Sequence, residues 1–277
     1  MNKTILITGT SSGLGRATAK LFHEQGWNVI ATMRTPDRET ELTQLDRMLV
    51  TRLDVQDSAS IQSAVAAGIA KFGRIDALVN NAGYGAYGPL EAMPPENIRR
   101  QFDVNVLGVL ATTQALLPHF RANRSGTIVN ISSIGGRMAF PLGTLYHGTK
   151  FAVEGLSEAL QYELGALGVR VKLVEPGGIR TDFAGRSFDF QNDPTMVEYQ
   201  PLVQATVNML GPMMTEGGSS PEHIAATVYA AATDQTDQFR YEAGADAVRL
   251  LERRRSVNDA EFFAGMKAQF GLNHERR

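Results

Sequence analysis

The chain of 277 residues contains no cysteine and only one tryptophan. The lack of cysteine excludes disulfides, iron–sulfur clusters, thiolate zinc sites and cysteine nucleophiles, and it fits a reducing compartment. An excess of charge of one sign is also missing, since 27 basic and 29 acidic residues give a formal net charge of −2. We therefore expect neither a nucleic-acid partner nor a polybasic membrane surface.

Long apolar runs are absent as well. No stretch approaches the roughly 20 apolar residues of a membrane-spanning helix. The apolar run at Ile5–Ile7 is too short for a signal peptide, so we expect a cytoplasmic protein. The histidines are scattered without an HExxH pair, and no metal site is expected.

Short apolar segments alternate with longer stretches of helical pattern. The strand-like segments are Ile5–Ile7, Trp27–Ile30, Met48–Val50, Ala77–Val79, Gly126–Ile131 and Val169–Val174. Such alternation predicts a parallel sheet covered by helices on both faces. The expected fold class is α/β, with a single doubly wound Rossmann domain over residues 1–277 and a sheet of about six or seven strands.

Residues 183–220 differ from the rest of the chain in composition. They are rich in glycine and proline, for example at Gly211-Pro212 and Gly217-Gly218, and their periodicity is weak. We expect a mobile insertion or substrate lid there. Its aromatic and methionine side chains would either line an apolar pocket or pack the insertion against the body.

A glycine-rich turn follows the first strand. Gly9 allows a tight turn, and Gly13 and Gly15 let the backbone approach a pyrophosphate at the start of the next helix. The position of this turn at the first strand–helix junction is the context that dinucleotide binding requires. The residues predicted to hold the phosphates are Gly9, Ser11, Ser12, Gly13, Leu14 and Gly15.

The end of the second strand carries a base where dinucleotide folds often place an acid. Arg34 would hold a 2′-phosphate through its guanidinium, and the missing carboxylate removes a repulsion. This favours NADP(H), with NAD(H) still possible. The alternative is a surface arginine that happens to end a strand.

Tyr146 and Lys150 are four residues apart in a helical stretch, so they share one helix face. Free tyrosine has a pKa of about 10, and a nearby ammonium would lower it toward useful proton transfer. Ser133 ends a buried strand at the edge where open α/β sheets bind ligands. Ser132 is an alternative to Ser133, and either serine would otherwise be a turn or cap residue.

Together these motifs resemble the short-chain dehydrogenase/reductase family over residues 1 to about 182. Further matches are Asp54, the Asn80–Gly83 loop, Asn105 and Pro176-Gly177. The stretches 29–36 and 241–247 resemble the hydroxysteroid and retinol dehydrogenase subgroup.

The resemblance implies a role for each matching residue. Ser133 would orient the substrate oxygen, Tyr146 would act as general acid or base, Lys150 would hold the nicotinamide ribose, and Asn105 would anchor a water in a proton relay. Further cofactor contacts are implied for Asp54 and Val55 at the adenine, for Asn81, Ala82 and Gly83 along the adenosine half, and for Pro176, Gly177, Ile179 and Thr181 at the carboxamide. His147, beside the tyrosine, is interpreted as a packing or surface residue.

The implied activity is hydride transfer between a nicotinamide and a carbonyl or secondary alcohol, with a hydrophobic small-molecule substrate. Family resemblance also implies a homodimer or homotetramer. Two alternatives remain at this point. One is a non-catalytic protein that senses dinucleotides, and the other is a nucleotide-sugar epimerase or dehydratase on the same scaffold.

Overall fold

The computed structural model describes residues 2–180, 187–215 and 217–272. The strands are β1 (Thr4–Thr8), β2 (Asn28–Met33), β3 (Met48–Arg52), β4 (Ala77–Asn80), β5 (Gly85–Tyr87), β6 (Gly126–Ile131), β7 (Val169–Pro176), β8 (Phe188–Phe190) and β9 (Arg240–Ala243). The helices are α1 (Gly13–Glu24), α2 (Ser58–Phe72), α3 (Pro95–Phe102), α4 (Gly108–Asn123), α5 (Thr144–Gly165), α6 (Gln200–Thr215), α7 (Pro221–Thr233), α8 (Ala245–Ser256) and α9 (Asp259–Gln269).

Seven strands form one parallel sheet in the order β3-β2-β1-β4-β6-β7-β9. The chain winds from β1 outward to β3 and then returns to β4 on the other side of β1. This reversal creates a switch point at the carboxyl ends of β1 and β4, where open α/β sheets bind ligands. The predicted α/β doubly wound fold is therefore confirmed.

The six predicted strands are all present, and β9 is the seventh. Sequence reasoning did not identify β9 as a strand, because it is a short edge strand with alternating burial and no continuous apolar run. The segment is a strand because it pairs with β7, a contact that its local sequence does not show.

The hydrophobic core lies in two layers, one on each face of the sheet. Ile5 and Ile7 face the layer that contains Phe22, while Leu6 faces the layer that contains Phe120. Successive side chains of a strand point to opposite faces, so a strand covered on both faces is apolar throughout. All five residues of β1 are accordingly buried.

The stretch 183–220 has more regular structure than its composition suggested. Strand β8 pairs with β5 in a small parallel sheet, and α6 buries Val203, Thr206 and Leu210 at helical spacing. The helical spacing of these buried residues was hard to see in the sequence, because glycine and proline residues lie nearby. Phe183 and Gly185 lie outside the described residues. No helix in the described ranges has the length and hydropathy needed to cross a bilayer.

Candidate active site

A cleft of about 390 Å³ opens at the carboxyl edge of the sheet. Most of the predicted site residues line it: Gly9, Ser11, Ser12, Gly13, Leu14, Gly15, Arg34, Asp54, Val55, Asn81, Ala82, Gly83, Ser133, Tyr146, Lys150, Pro176, Gly177 and Ile179. Asn105 lies behind the wall and is only 2 % exposed. Thr181 lies outside the described residues. The fold thus brings residues far apart in sequence to one concave site.

The turn between β1 and α1 is shaped for close backbone approach. Gly9 and Gly13 have φ angles of +73° and +54°, the left-handed region that favours glycine. A Cβ on Gly15 would lie 2.2 Å from the Gly9 carbonyl oxygen. Ser12 caps α1 without a side-chain hydrogen bond, and the first turn carries no acid. The amides at this helix start therefore suit the phosphates of a dinucleotide.

Two side chains at the ends of β1 and β4 hold this turn in place. Asn81 donates through Nδ2 to the carbonyls of Thr8 (2.8 Å) and Gly9 (3.1 Å). The Thr8 hydroxyl accepts from the backbone amides of Asn81 (3.0 Å) and Ala82 (2.9 Å). Asn81 therefore uses its side chain to brace the turn. Sequence reasoning missed Thr8, whose signal was a hydroxyl directly before Gly9.

Arg34 directly follows β2, as predicted, and it is exposed at the cleft. Its neighbour Arg16 is instead occupied, because it contacts Glu39, pairs with Glu41 at 2.7 Å and donates to the Ser11 carbonyl. Among the described residues, Arg34 forms no ion pair. Its guanidinium is thus available to an anionic group in the cleft.

Ser133, Tyr146 and Lys150 meet at the other end of the cleft. The Ser133 hydroxyl accepts from the Gly135 amide at 3.0 Å and donates to the Pro176 carbonyl at 3.5 Å. Lys150 donates through Nζ to the Ile131 carbonyl at 2.9 Å, and Nζ lies 5.7 Å from the centroid of the Tyr146 ring. Two hydroxyls and an amine therefore line the same cleft.

The pKa values of this pair correct one expectation. Burial raises the pKa of Tyr146, and the hydrogen bond with Ser133 offsets only part of that rise. Burial also lowers the pKa of Lys150 to about 8, opposed by the charge of Glu154. Proximity to Lys150 was expected to lower the pKa of Tyr146, but the balance in the structure goes the other way. The reason is that desolvation disfavours phenolate and ammonium alike.

Asn105 lies in a π-helical turn at 103–107. Its side-chain oxygen accepts from the Tyr84 amide at 3.1 Å, and its Nδ2 donates to the Tyr84 carbonyl (2.8 Å) and to the Thr149 hydroxyl (3.2 Å). These bonds tie the loop after β4 to the helix that carries Tyr146. The Asn105 side chain therefore holds this loop and this helix together behind the cleft.

His147 is a buried packing residue, in agreement with its interpretation from the sequence. Its Nε2 accepts from the Phe140 amide and its Nδ1 contacts the Gly135 carbonyl, both at 3.0 Å. Burial lowers its pKa to about 4. With one nitrogen accepting and the other donating, the ring is neutral near pH 7.

An aromatic wall lies beside Tyr146; Phe188 is one of the aromatic side chains of 183–220 that the sequence offered for a pocket or for packing, whereas Tyr87 was missed. The centroid of the Tyr87 ring lies 5.4 Å from that of Tyr146 and 5.1 Å from that of Phe188. Pairing of β5 with β8 brings Tyr87 and Phe188 together across about 100 residues. No local pattern could have shown this contact.

The loop after β7 is held from the C-terminal part of the chain. The amide of Gly178 donates to the Asp246 carboxylate at 2.7 Å, and the Ile179 backbone bridges to Ser219. A Cβ on Gly177 would lie 2.1 Å from Asp246. Asp246 belongs to the stretch 241–247, which sequence reasoning noted only as a subgroup resemblance.

Comparison with known proteins assigns the family. A profile of the family described as short chain dehydrogenase matches residues 3–192. The chain belongs to this family. An uncharacterised oxidoreductase of Schizosaccharomyces pombe is 43% identical over 245 residues, which cover 87% of this chain and all of that protein. A short-chain dehydrogenase from Streptomyces avermitilis is 34% identical with a TM-score of 0.83, and 99% of each chain is covered.

Two further relatives bear on chemistry. The 17-beta-hydroxysteroid dehydrogenase type 1 of Mus musculus is 38% identical over 190 residues, covering 65% of this chain and 55% of that one. The solved structure described as ElxO with NADP bound is 27% identical with a TM-score of 0.71, covering 87% and 98% of the two chains. This chain is a nicotinamide-dependent dehydrogenase or reductase.

Proposed function

We propose that the protein is an NADP(H)-preferring oxidoreductase that acts on a carbonyl or secondary alcohol of a hydrophobic small molecule. The observation that carries this proposal is the meeting of Ser133, Tyr146 and Lys150 in one cleft with the glycine turn of Gly9–Gly15. When bound, the nicotinamide supplies or accepts the hydride. NADPH oxidation by the purified protein with apolar ketones, measured beside a Tyr146→Phe variant, tests the proposal.

The side chains have separate tasks in reduction. Ser133 donates its hydroxyl hydrogen to the substrate carbonyl oxygen, while its own oxygen accepts from the Gly135 amide. Tyr146 then delivers a proton to that oxygen as negative charge develops on it. Burial keeps the tyrosine protonated at neutral pH, because it raises the pKa of the hydroxyl. In oxidation the same groups act in reverse.

The residues present fit a dinucleotide along the whole cleft. The turn Gly9–Gly15 would hold the pyrophosphate, Asp54 and Val55 the adenine, and Lys150 the nicotinamide ribose. The Asn81–Gly83 loop would lie along the adenosine half. The carboxamide would contact the Pro176–Ile179 loop. The close glycine contacts support this assignment, since added side chains would fill the cradle.

Replacing Arg34 by aspartate is expected to raise the KM for NADPH about 10- to 100-fold, with a much smaller change for NADH. The change removes a charged hydrogen bond worth roughly 1.5–3 kcal/mol and adds repulsion against the 2′-phosphate. Initial rates with both cofactors measure the effect. Arg38→Asp is the matched control, because Arg38 is exposed in the same loop but does not line the cleft. Equal changes for both cofactors would contradict phosphate recognition by Arg34.

The composition of the cleft wall supports a hydrophobic substrate. Tyr87, Phe140, Phe188 and Leu210 line the cleft, and the Tyr87 ring lies beside the rings of Tyr146 and Phe188. Phe188 and Leu210 belong to the stretch 183–220, which we propose to act as a lid over the substrate. The name of the mouse relative, a hydroxysteroid dehydrogenase, supports an apolar alcohol or ketone as substrate.

We also propose a homodimer or homotetramer that forms around α5. Phe102, Leu107 and Phe151 are exposed, and the Phe102 ring lies 3.8 Å from the position of a Gly148 Cβ on α5. Light scattering is expected to give two or four times the chain mass of 30.1 kDa. Phe151→Asp should reduce that mass, while Phe263→Asp, at another exposed phenylalanine, should not. A monomeric wild type would contradict the proposal.

A further inference from the structure

A buried pair of carboxylates lies behind the candidate catalytic lysine. Glu154 follows Lys150 by one turn of α5 and is 5 % exposed, while Glu175 on β7 is 1 % exposed. Arg240 of β9 reaches both, with Nε 3.0 Å from a Glu154 oxygen and 3.4 Å from a Glu175 oxygen. Neither acid belongs to the motifs that identified the site.

This cluster touches the elements that form the reactive end of the cleft. Glu175 immediately precedes Pro176, and Arg137, just beyond the turn that Ser133 caps, pairs with Glu175 at 3.2 Å. A Cβ on Gly136 would lie 2.7 Å from the Ser132 hydroxyl and 2.9 Å from Glu154 Cγ. The carboxylates are therefore packed directly against the backbone next to Ser133.

The arrangement is costly for stability. Burial and the charge of Glu154 raise the pKa of Glu175 to about 7. Within the part of the chain that the structure describes, Glu154 Oε1 and Ser132 Oγ are buried without hydrogen-bond partners. A buried polar atom without a hydrogen-bond partner destabilises the folded chain. Buried acids with perturbed pKa values beside a cleft are typical of functional sites.

We propose that Glu154 is a positioning residue for Lys150, whose buried carboxylate keeps that lysine in its ammonium form. The inference rests on the proposed function, in which the ammonium holds the nicotinamide ribose. The hydrogen bond that Lys150 makes to Ile131 is with a neutral carbonyl, so it does not compensate the charge. Arg137 pairs with Glu175 and Arg240 pairs with Glu154, and the same Glu154 carboxylate lies one helical turn from Lys150, where both side chains are buried.

The direction of the pH effect follows from the groups around Glu154. The charged or titratable groups that face the carboxylate pair are Lys150 and Glu158 on α5, Arg137 after β6, Arg240 on β9 and Arg255 on α8. Removing the charge of Glu154 leaves these cations in place. It also takes away the anion that limits how far burial lowers the pKa of Lys150. Lys150 should then lose its proton at a lower pH.

The substitution Glu154→Gln is expected to lower the pKa of Lys150 by about one pH unit. Competitive labelling with acetic anhydride as a function of pH, read by mass spectrometry of the peptide containing Lys150, measures this pKa without turnover. Glu158→Gln is the matched control, since Glu158 lies on the same helix and binds the same arginine but is exposed. The control should leave the pKa unchanged. In active enzyme, the alkaline limb of kcat/KM should shift to lower pH only for Glu154→Gln.

The outcomes separate this inference from the proposed function. Absence of turnover with every carbonyl tested would count against the proposed function, while labelling would still decide the role of Glu154. The same pKa of Lys150 in wild type, Glu154→Gln and Glu158→Gln would overturn the inference. If Glu154→Gln fails to fold, Glu154→Met removes the same charge at a similar volume and should lower the pKa of Lys150, and an unchanged pKa there would overturn the inference as well.

Discussion

Tyr146→Phe is expected to lower kcat for NADPH-dependent reduction of a ketone by about 10²–10⁴ while dinucleotide binding stays nearly unchanged. The substitution removes only the hydroxyl that would donate the proton. The ring keeps its place beside Tyr87 and His147, at centroid distances of 5.4 and 5.6 Å. Steady-state rates and fluorescence titration with NADPH measure the two effects separately.

Tyr87→Phe is the matched control for this prediction. Tyr87 is a buried tyrosine that lines the same cleft as Tyr146, and no proton transfer is assigned to its hydroxyl. Its loss should change kcat far less than the loss of the Tyr146 hydroxyl. Near-normal turnover in Tyr146→Phe would contradict the acid role. Tight NADPH binding without turnover in wild type would favour a non-catalytic dinucleotide sensor.

The pH dependence gives a further check on the same residue. Burial raises the pKa of Tyr146, so the phenol stays protonated through the neutral range. Reduction requires the protonated form and should decline only as pH rises into the alkaline range. Oxidation of the corresponding alcohol requires the deprotonated form and should rise over that range. Reduction that rises, or oxidation that falls, as the pH enters the alkaline range would contradict the assignment.

Gly15→Ala is the substitution with the second large expected effect. Its Cβ would lie 2.2 Å from the Gly9 carbonyl oxygen and 2.5 Å from Asn81 Nδ2, closer than real Cβ contacts. Both atoms belong to the brace that holds the turn, because Asn81 Nδ2 donates to the Gly9 carbonyl. Overpacking of this kind costs roughly 1–3 kcal/mol and must move the turn. We expect the dissociation constant for NADPH to rise about 100-fold.

Gly165→Ala controls for the general effect of adding a methyl group. Gly165 ends α5, and nothing lies within 4 Å of its Cβ position. This variant should bind NADPH normally, and alanine should slightly favour the helix. Titration calorimetry with NADPH and thermal unfolding of both variants measure binding and stability. Normal binding by Gly15→Ala would mean that the pyrophosphate does not approach this turn.

Residues close together in sequence were predictable where local geometry determines the outcome. The central strands are uninterrupted apolar runs because parallel strands in this sheet are buried on both faces. The pair Tyr146 and Lys150 needed only the four-residue helical spacing to share a face. Gly9 and Gly15 were identifiable because their turn lies directly between a strand and a helix. The family and the reaction class follow from these local signals.

Contacts between distant parts of the chain were decided only by the tertiary structure. Strand β9 exists through its pairing with β7, and the aromatic wall exists because β5 pairs with β8. The rise in the pKa of Tyr146 was also beyond sequence reasoning, since burial and not the neighbouring Lys150 dominates it. The link from Lys150 through Glu154 to Glu175 depends on a helix packed against a strand. The sequence alone determined which reactive side chains the chain has. Packing decided the charge states of Tyr146 and Lys150, because desolvation depends on every element that surrounds a group.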